Sequence, residues 1–137
     1  MPPTDRFVST AEFYVRYAET DAQQIVHHAS YIVWLEEARS HYSRARNADY
    51  ADFERSGFGL SVVELHARYI APAHYGDLIA AHCWVDELRS RALTFGYEVA
   101  HAQTGVLFAT GQSRHVCVTR EGHLITLPAE LRRALAE

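Results

Sequence analysis

The chain has 137 residues, a length that suits one domain with a sizeable core and leaves no room for two. Hydrophobic residues make up 48% and charged residues 22%, which excludes a disordered chain, and a formal net charge of -4 offers no basic stripe for nucleic acid. No apolar run is long enough to span a bilayer, and Met1-Pro2-Pro3-Thr4-Asp5-Arg6 lacks the apolar core of a signal peptide, so a cytoplasmic protein is expected.

Residues 11–17 alternate, with Phe13, Val15 and Tyr17 on one face and Glu12, Tyr14 and Arg16 on the other, which predicts a half-buried strand. Tyr17 to Tyr31 then reads as a turn that feeds this strand into a helix N-terminus, with the acid Asp21 on it. Tyr31, Leu35, Ala38, Tyr42 and Ala45 recur at helical spacing and predict a helix from about Ala29 to Arg46. Ile32, Val33 and Trp34 widen its apolar surface, so a mostly buried central helix is expected.

Asn47-Ala48-Asp49 supplies a stop, Tyr50 to Ser56 a short helix, and Gly57 and Gly59 its end. Beyond Gly59 the pattern turns to strands: Leu60 to Ile70, Leu78 to Asp86, Ala92 to Ala100 and Val106 to Val118, with a bulge or bend expected at Gly111. Ala71 to Asp77 is a loop, residues 87–91 a turn, and Gln103-Thr104-Gly105 a tight hairpin. Pro128 at a first helical position starts a short closing helix. Strand, long helix, short helix and a run of antiparallel strands give an α+β domain, a curled antiparallel sheet wrapped around one long central helix.

Few residues offer chemistry. A helix N-terminus carries unpaired N–H groups and partial positive charge, so a carboxylate facing it forms a pocket suited to a polarised carbonyl. Asp21 is placed for this, although aspartate also suits a plain turn. It would attack a carbonyl or deprotonate a water while N–H groups near His28 hold the oxygen, an arrangement worth about 2.7 to 4 kcal/mol per donor in a transition state. Of His27 and His28, one would face the pocket and the other solvent, and spacing does not say which.

The nine histidines are scattered and show no metal-ligand spacing, so no metal is expected. Cys83 and Cys117 read as small buried thiols. There is no nucleophile elbow and no glycine-rich phosphate loop. Glu36 and Glu37 form a pair on the helix, and Arg89, Arg91 and Arg114 lie near sheet ends, where they would meet phosphates or solvent.

The run Tyr17-Ala18-Glu19-Thr20-Asp21-Ala22, followed by His28-Ala29-Ser30-Tyr31 and Leu35-Glu36-Glu37-Ala38-Arg39, resembles the signature of hotdog-fold acyl-CoA thioesterases of the 4-hydroxybenzoyl-CoA thioesterase class. Val62-Val63-Glu64, Arg68-Tyr69-Ile70-Ala71-Pro72-Ala73 and Gly76-Asp77 resemble that family's next strand and loop. The resemblance implies a single hotdog domain over 1–137 and hydrolysis of an acyl-CoA or acyl-carrier-protein thioester. Asp21 would be nucleophile or general base, and the His28 backbone N–H the oxyanion donor. It further implies substrate contacts from His27, Tyr31, Arg68, Arg89 and Arg91, a homodimer or homotetramer, and no cofactor beyond the coenzyme A of the substrate. Where the family commonly has glycine this chain has Gln24, which must adopt a strained backbone or reshape the turn. A non-catalytic acyl-CoA-binding module, an enoyl-thioester hydratase or dehydratase, and a histidine-rich metal protein are the alternatives.

Overall fold

The computed structural model describes residues 1–48, 55 and 57–136. Strand β1 (Val8–Tyr14) leads through a 3-10 turn (Tyr17–Glu19) into helix α1 (His28–Ala45). Strands β2 (Phe58–Tyr69), β3 (Leu78–Leu88), β4 (Ala92–His101), β5 (Leu107–Thr119) and the short β6 (Leu124–Ile125) follow, and helix α2 (Ala129–Ala136) closes the chain. The short helix expected over 50–56 lies, apart from Arg55, outside the described residues. Among those described, no helix is long and apolar enough to cross a membrane.

The sheet has the order β1-β3-β4-β5-β2, antiparallel throughout, with β6 added to β5. β3 and β4 are central and their alternate residues point at α1: Ile79, Ala81 and Cys83 from one, Phe95, Tyr97 and Val99 from the other. Trp34, Leu35, Ala38 and Tyr42 of α1 meet them, each almost fully buried. At roughly 1.5–3 kcal/mol for each large side chain taken out of water, this contact is the main source of stability.

Two expectations about this core need correction. The ladder runs through Gly111 without a break, paired to Ala67, and the register shifts fall at Val62/Glu64, Val85/Glu87 and Val99/Ala100. Gly111 serves close approach instead: a Cβ there would meet Leu35 Cδ1 at 3.0 Å and the His66 carbonyl at 3.1 Å. Nor is α1 buried on all sides, since Ile32 and Val33 are 40% and 55% exposed. The sheet covers one face of the helix and leaves the other open.

A buried polar chain crosses the core. Arg39 Nη1 donates to the Tyr97 hydroxyl at 3.4 Å, that hydroxyl lies 2.5 Å from Ser113 Oγ, and Ser113 Oγ lies 2.7 Å from His115 Nε2. Burial, with the Arg39 charge adding to it, pushes His115 down to about 3, so the ring is neutral in the folded protein.

β1 hands over to α1 through Glu19. Its carboxylate is one-tenth exposed and accepts hydrogen bonds from the Arg16 N–H at 2.8 Å, Arg16 Nη2 at 3.0 Å and the Trp34 indole N–H at 2.7 Å. Burial alone would raise its pKa, but the bonds from Arg16 and Trp34 outweigh that and hold it below the usual carboxylate range. A group whose folded pKa is depressed stabilises the fold above its unfolded value, and that contribution is lost as pH falls through the folded one. Glu19→Gln is therefore expected to cost about 1–3 kcal/mol at neutral pH. In urea unfolding the gap between variant and parent should narrow as pH falls below the ordinary glutamate range, and a gap that stays constant into acid would show the charge to be irrelevant.

Candidate active site

Register decides which groups meet. Pairing of Tyr14 with Leu78, Ile79 with His101, Ala100 with Leu107 and Tyr69 with Ala109 gathers these residues at one end of the sheet. The turn from β1 into α1 leaves from that end. Thr20 and Val26 form a bridge across its base, the Asp21 N–H donates to the Ile25 carbonyl at 2.9 Å, and the Gln24 N–H donates to the Asp21 carbonyl at 2.9 Å. The Gln23 N–H reaches Asp21 Oδ1 at 2.8 Å, an aspartate turn that fixes the carboxylate by one oxygen. Among the described residues nothing hydrogen-bonds Oδ2, so that oxygen is available for chemistry.

Gln24 sits at φ +66°. The turn has kept the left-handed conformation that glycine would supply without strain, and an exposed glutamine tolerates it at roughly 1–2 kcal/mol. Of the two outcomes expected for Gln24, the backbone takes the strained one.

His27 is the N-cap of α1. Its extended backbone, φ -65° and ψ 139°, lets the ring turn back so that Nδ1 accepts from the Ala29 N–H at 3.1 Å. The Ser30 N–H donates to the His27 carbonyl at 2.9 Å. Helix geometry gives the His28 N–H no acceptor inside the helix, and none exists among the described residues. One amide of the first turn is thus left open. The His27 and His28 rings stack with centroids 4.3 Å apart.

These groups border a cavity of about 410 Å³. The turn contributes Asp21, Gln23, Ile25 and Val26, α1 contributes His28 and Tyr31, and β2 with its following loop contributes Tyr69, Ile70, Ala71 and Pro72. The Tyr69 hydroxyl donates to the His28 carbonyl at 3.0 Å, and its ring meets Tyr31 edge to face at 5.2 Å. The Tyr31 hydroxyl accepts from the Ala73 N–H at 3.3 Å, and burial pushes its pKa up, so the phenol stays protonated. One carboxylate and one open amide thus sit on a largely apolar, aromatic wall.

Asp21, His28 and Tyr31 are therefore brought together. His27 caps the helix beside them. Arg68 precedes Tyr69 on β2 and so points to the opposite face, where it borders an outer groove with His66, Trp84 and Gln112. Arg89, paired with Glu87, and the exposed Arg91 lie on the turn beyond Leu88, at the far end of β3. Eleven residues of strand, about 35 Å, separate them from the Asp21 end, so within one chain they do not reach the cavity. Tyr69 and Glu19 were quoted in the family signature without a role. The signal for Glu19 was a buried tryptophan, whose indole N–H needs an acceptor.

Glycine at position 24 would remove the backbone strain and return only about 0.5–1 kcal/mol in unfolded-state entropy. Gln24→Gly is thus expected to leave stability unchanged or raise it by up to about 1 kcal/mol, read as a Tm shift of a few degrees, with hydrolytic activity retained. A loss of stability would mean that the glutamine side chain supports the turn.

Residues 15–135 match the family model described as the Thioesterase-like superfamily. The Bacillus subtilis protein YneP, provisionally named an acyl-CoA thioesterase, is 34% identical over 130 residues, which cover 95% of this chain and 91% of that protein. A hypothetical protein from Thermus thermophilus superposes with a TM-score of 0.88 at 38% identity, over 93% of this chain and 97% of its own. The DHNA-CoA thioesterase of Staphylococcus aureus superposes with a TM-score of 0.90 at 27% identity, over 94% of this chain and 89% of its own. A curled antiparallel sheet on a central helix, matched in both sequence and structure over nearly its whole length, makes this chain a member of the thioesterase-like, hotdog-fold superfamily.

Proposed function

We propose that this chain is a cytoplasmic hydrolase of acyl-CoA thioesters, with Asp21 as the acid-base or nucleophilic group and the His28 N–H as the oxyanion donor. The observation that carries this reading is the open amide of α1 and the free Asp21 Oδ2 on the wall of one cavity. The activities in the names of YneP and the Staphylococcus aureus enzyme support the substrate class. In the water route, Asp21 takes a proton from water as the oxygen attacks the thioester carbonyl. The developing oxyanion is held by the His28 N–H and the positive end of α1. Collapse expels the thiolate of coenzyme A, which takes up a proton, and leaves the free acid. In the nucleophilic route the carboxylate attacks first, and the C–S bond breaks to expel the coenzyme A thiolate and leave a mixed anhydride. Water then opens that anhydride to the free acid and the Asp21 carboxylate, with the proton released passing to the thiolate.

Positioned proton transfer is typically worth about 10²–10⁴-fold in rate, and Asp21→Asn should lower kcat by that order with the fold intact. CoA release followed with a thiol reagent over a panel of acyl-CoAs measures it. Activity within a few-fold of the parent would remove Asp21 from the chemistry.

The reading extends to a homodimer joined along β2. This strand is a sheet edge of 12 residues, with Val62 and Val63 each 48% exposed, and a long edge of that kind invites pairing with another chain. A second copy there would also offer its own Arg68, Arg89 and Arg91 as donors for the CoA phosphates. Sedimentation should give twice the 15.5 kDa of one chain or a further multiple. A fully active monomer would refute it.

A further inference from the structure

We propose that Glu19 is a positioning residue for hydrolysis, holding both the Asp21 turn and the His28 amide through one buried carboxylate. The inference rests on the reading of the cavity given above and assigns a further residue to it. No atom of Glu19 borders the cavity, so any effect it has on the reaction passes through others.

Two sets of contacts converge on this residue. Its main-chain carbonyl accepts from the His27 N–H at 2.8 Å and from Ser30 Oγ at 3.0 Å. His27 and His28 share a planar peptide unit, so fixing His27 on its N–H side, with Ser30 N–H on its carbonyl, fixes the orientation of the His28 N–H at the edge of the cavity. Toward the other group the path is as short: Thr20, the next residue, bridges Val26, and Asp21 follows directly. Glu19 thus stands where the two arms of the turn meet the start of α1.

What holds Glu19 is its side chain. Trp34, itself 2% exposed, donates its indole N–H to Oε2 from within α1, and Arg16 closes the other side through Oε1 and Oε2. The carboxylate therefore ties the turn to the body of the helix as well as to its first residue. Neither a serine nor an alanine at position 19 could span to the indole. An amide could keep the Trp34 bond only by turning its NH₂ toward the Arg16 donors.

The test compares Glu19→Gln, Trp34→Phe and the double variant with the parent, each assayed for acyl-CoA hydrolysis at a temperature where unfolding controls show it folded. A shift of an ångström in catalytic geometry costs up to about 10²-fold, so Glu19→Gln should lower kcat by about 10-fold or more with KM within about threefold. Trp34→Phe keeps an aromatic ring in the core but loses the indole N–H and leaves a small cavity where the larger indole packed. It should lower kcat in the same sense, and the double variant should fall short of the product of the two single losses, because both act through one contact. A parental kcat in folded Glu19→Gln, or a double variant whose losses multiply, would overturn the proposal. If Glu19→Gln does not fold, Trp34→Phe decides alone: parental kcat overturns the proposal, and a kcat loss at constant KM supports it. A parent that hydrolyses no thioester would refute the reading of the cavity instead, which Asp21→Asn tests separately.

Discussion

The seat of α1 on the concave face of the sheet is the contact on which everything else depends. Leu35 lies against Gly111, where any larger residue would push the helix outward, and Trp34, Ala38 and Tyr42 carry the same contact along the helix. Because the helix is held this closely, the position of its first residue is fixed relative to the strand ends. The open amide, the Asp21 turn and the Tyr69 contact inherit their geometry from that seat. Close packing of this kind transmits position well, since interiors have few voids in which an error could be absorbed.

From this seat the chemistry needs few polar groups. The cavity wall is mostly aliphatic and aromatic, and the positive end of α1 lies on it. A neutral Tyr31 and the main-chain contact of Asp21 leave one carboxylate oxygen and one backbone donor without partners among the described residues on the same cavity. For ester-like chemistry these are the two minimal requirements, a base or nucleophile on one side of the carbonyl and a donor for its oxygen on the other.

Much of this was legible in the chain. The helical spacing of Tyr31, Leu35, Ala38 and Tyr42 and the alternation of the strands report directly on burial, which is what both periodicities measure. That Asp21 and His28 border one cavity was legible because the turn residues and helix start are contiguous in sequence. What was not legible depends on contacts between distant segments. The exposure of Ile32 and Val33 follows from how far the sheet curls, and the role of Gly111 follows from which helix residue lies over it. Arg68 could be assigned to a face only once Tyr69 was seen to meet Tyr31, and the distance of Arg89 and Arg91 from the cavity only once the register of β3 was known. The part played by Glu19 was hidden for the same reason, since its partner Trp34 lies fifteen residues on and its charge would ordinarily place it at the surface.

The residues that break local rules cluster within a short span. Gln24 holds a left-handed backbone, Glu19 buries a carboxylate, and His27 caps a helix with a ring where a short hydroxyl or amide side chain is usual. Elsewhere in the described residues the only other left-handed non-glycine is Asn47, a residue type that tolerates it, at the end of α1. Each exception costs stability or departs from the ordinary choice, and together they flank Asp21 and His28 on both sides in sequence. Of the three, only the strain at position 24 is one that stability alone would relieve, with glycine as the simplest step. Exceptions gathered in a single turn are the kind of feature that marks a place where backbone geometry matters more than local preference, and the surrounding sheet breaks few such rules.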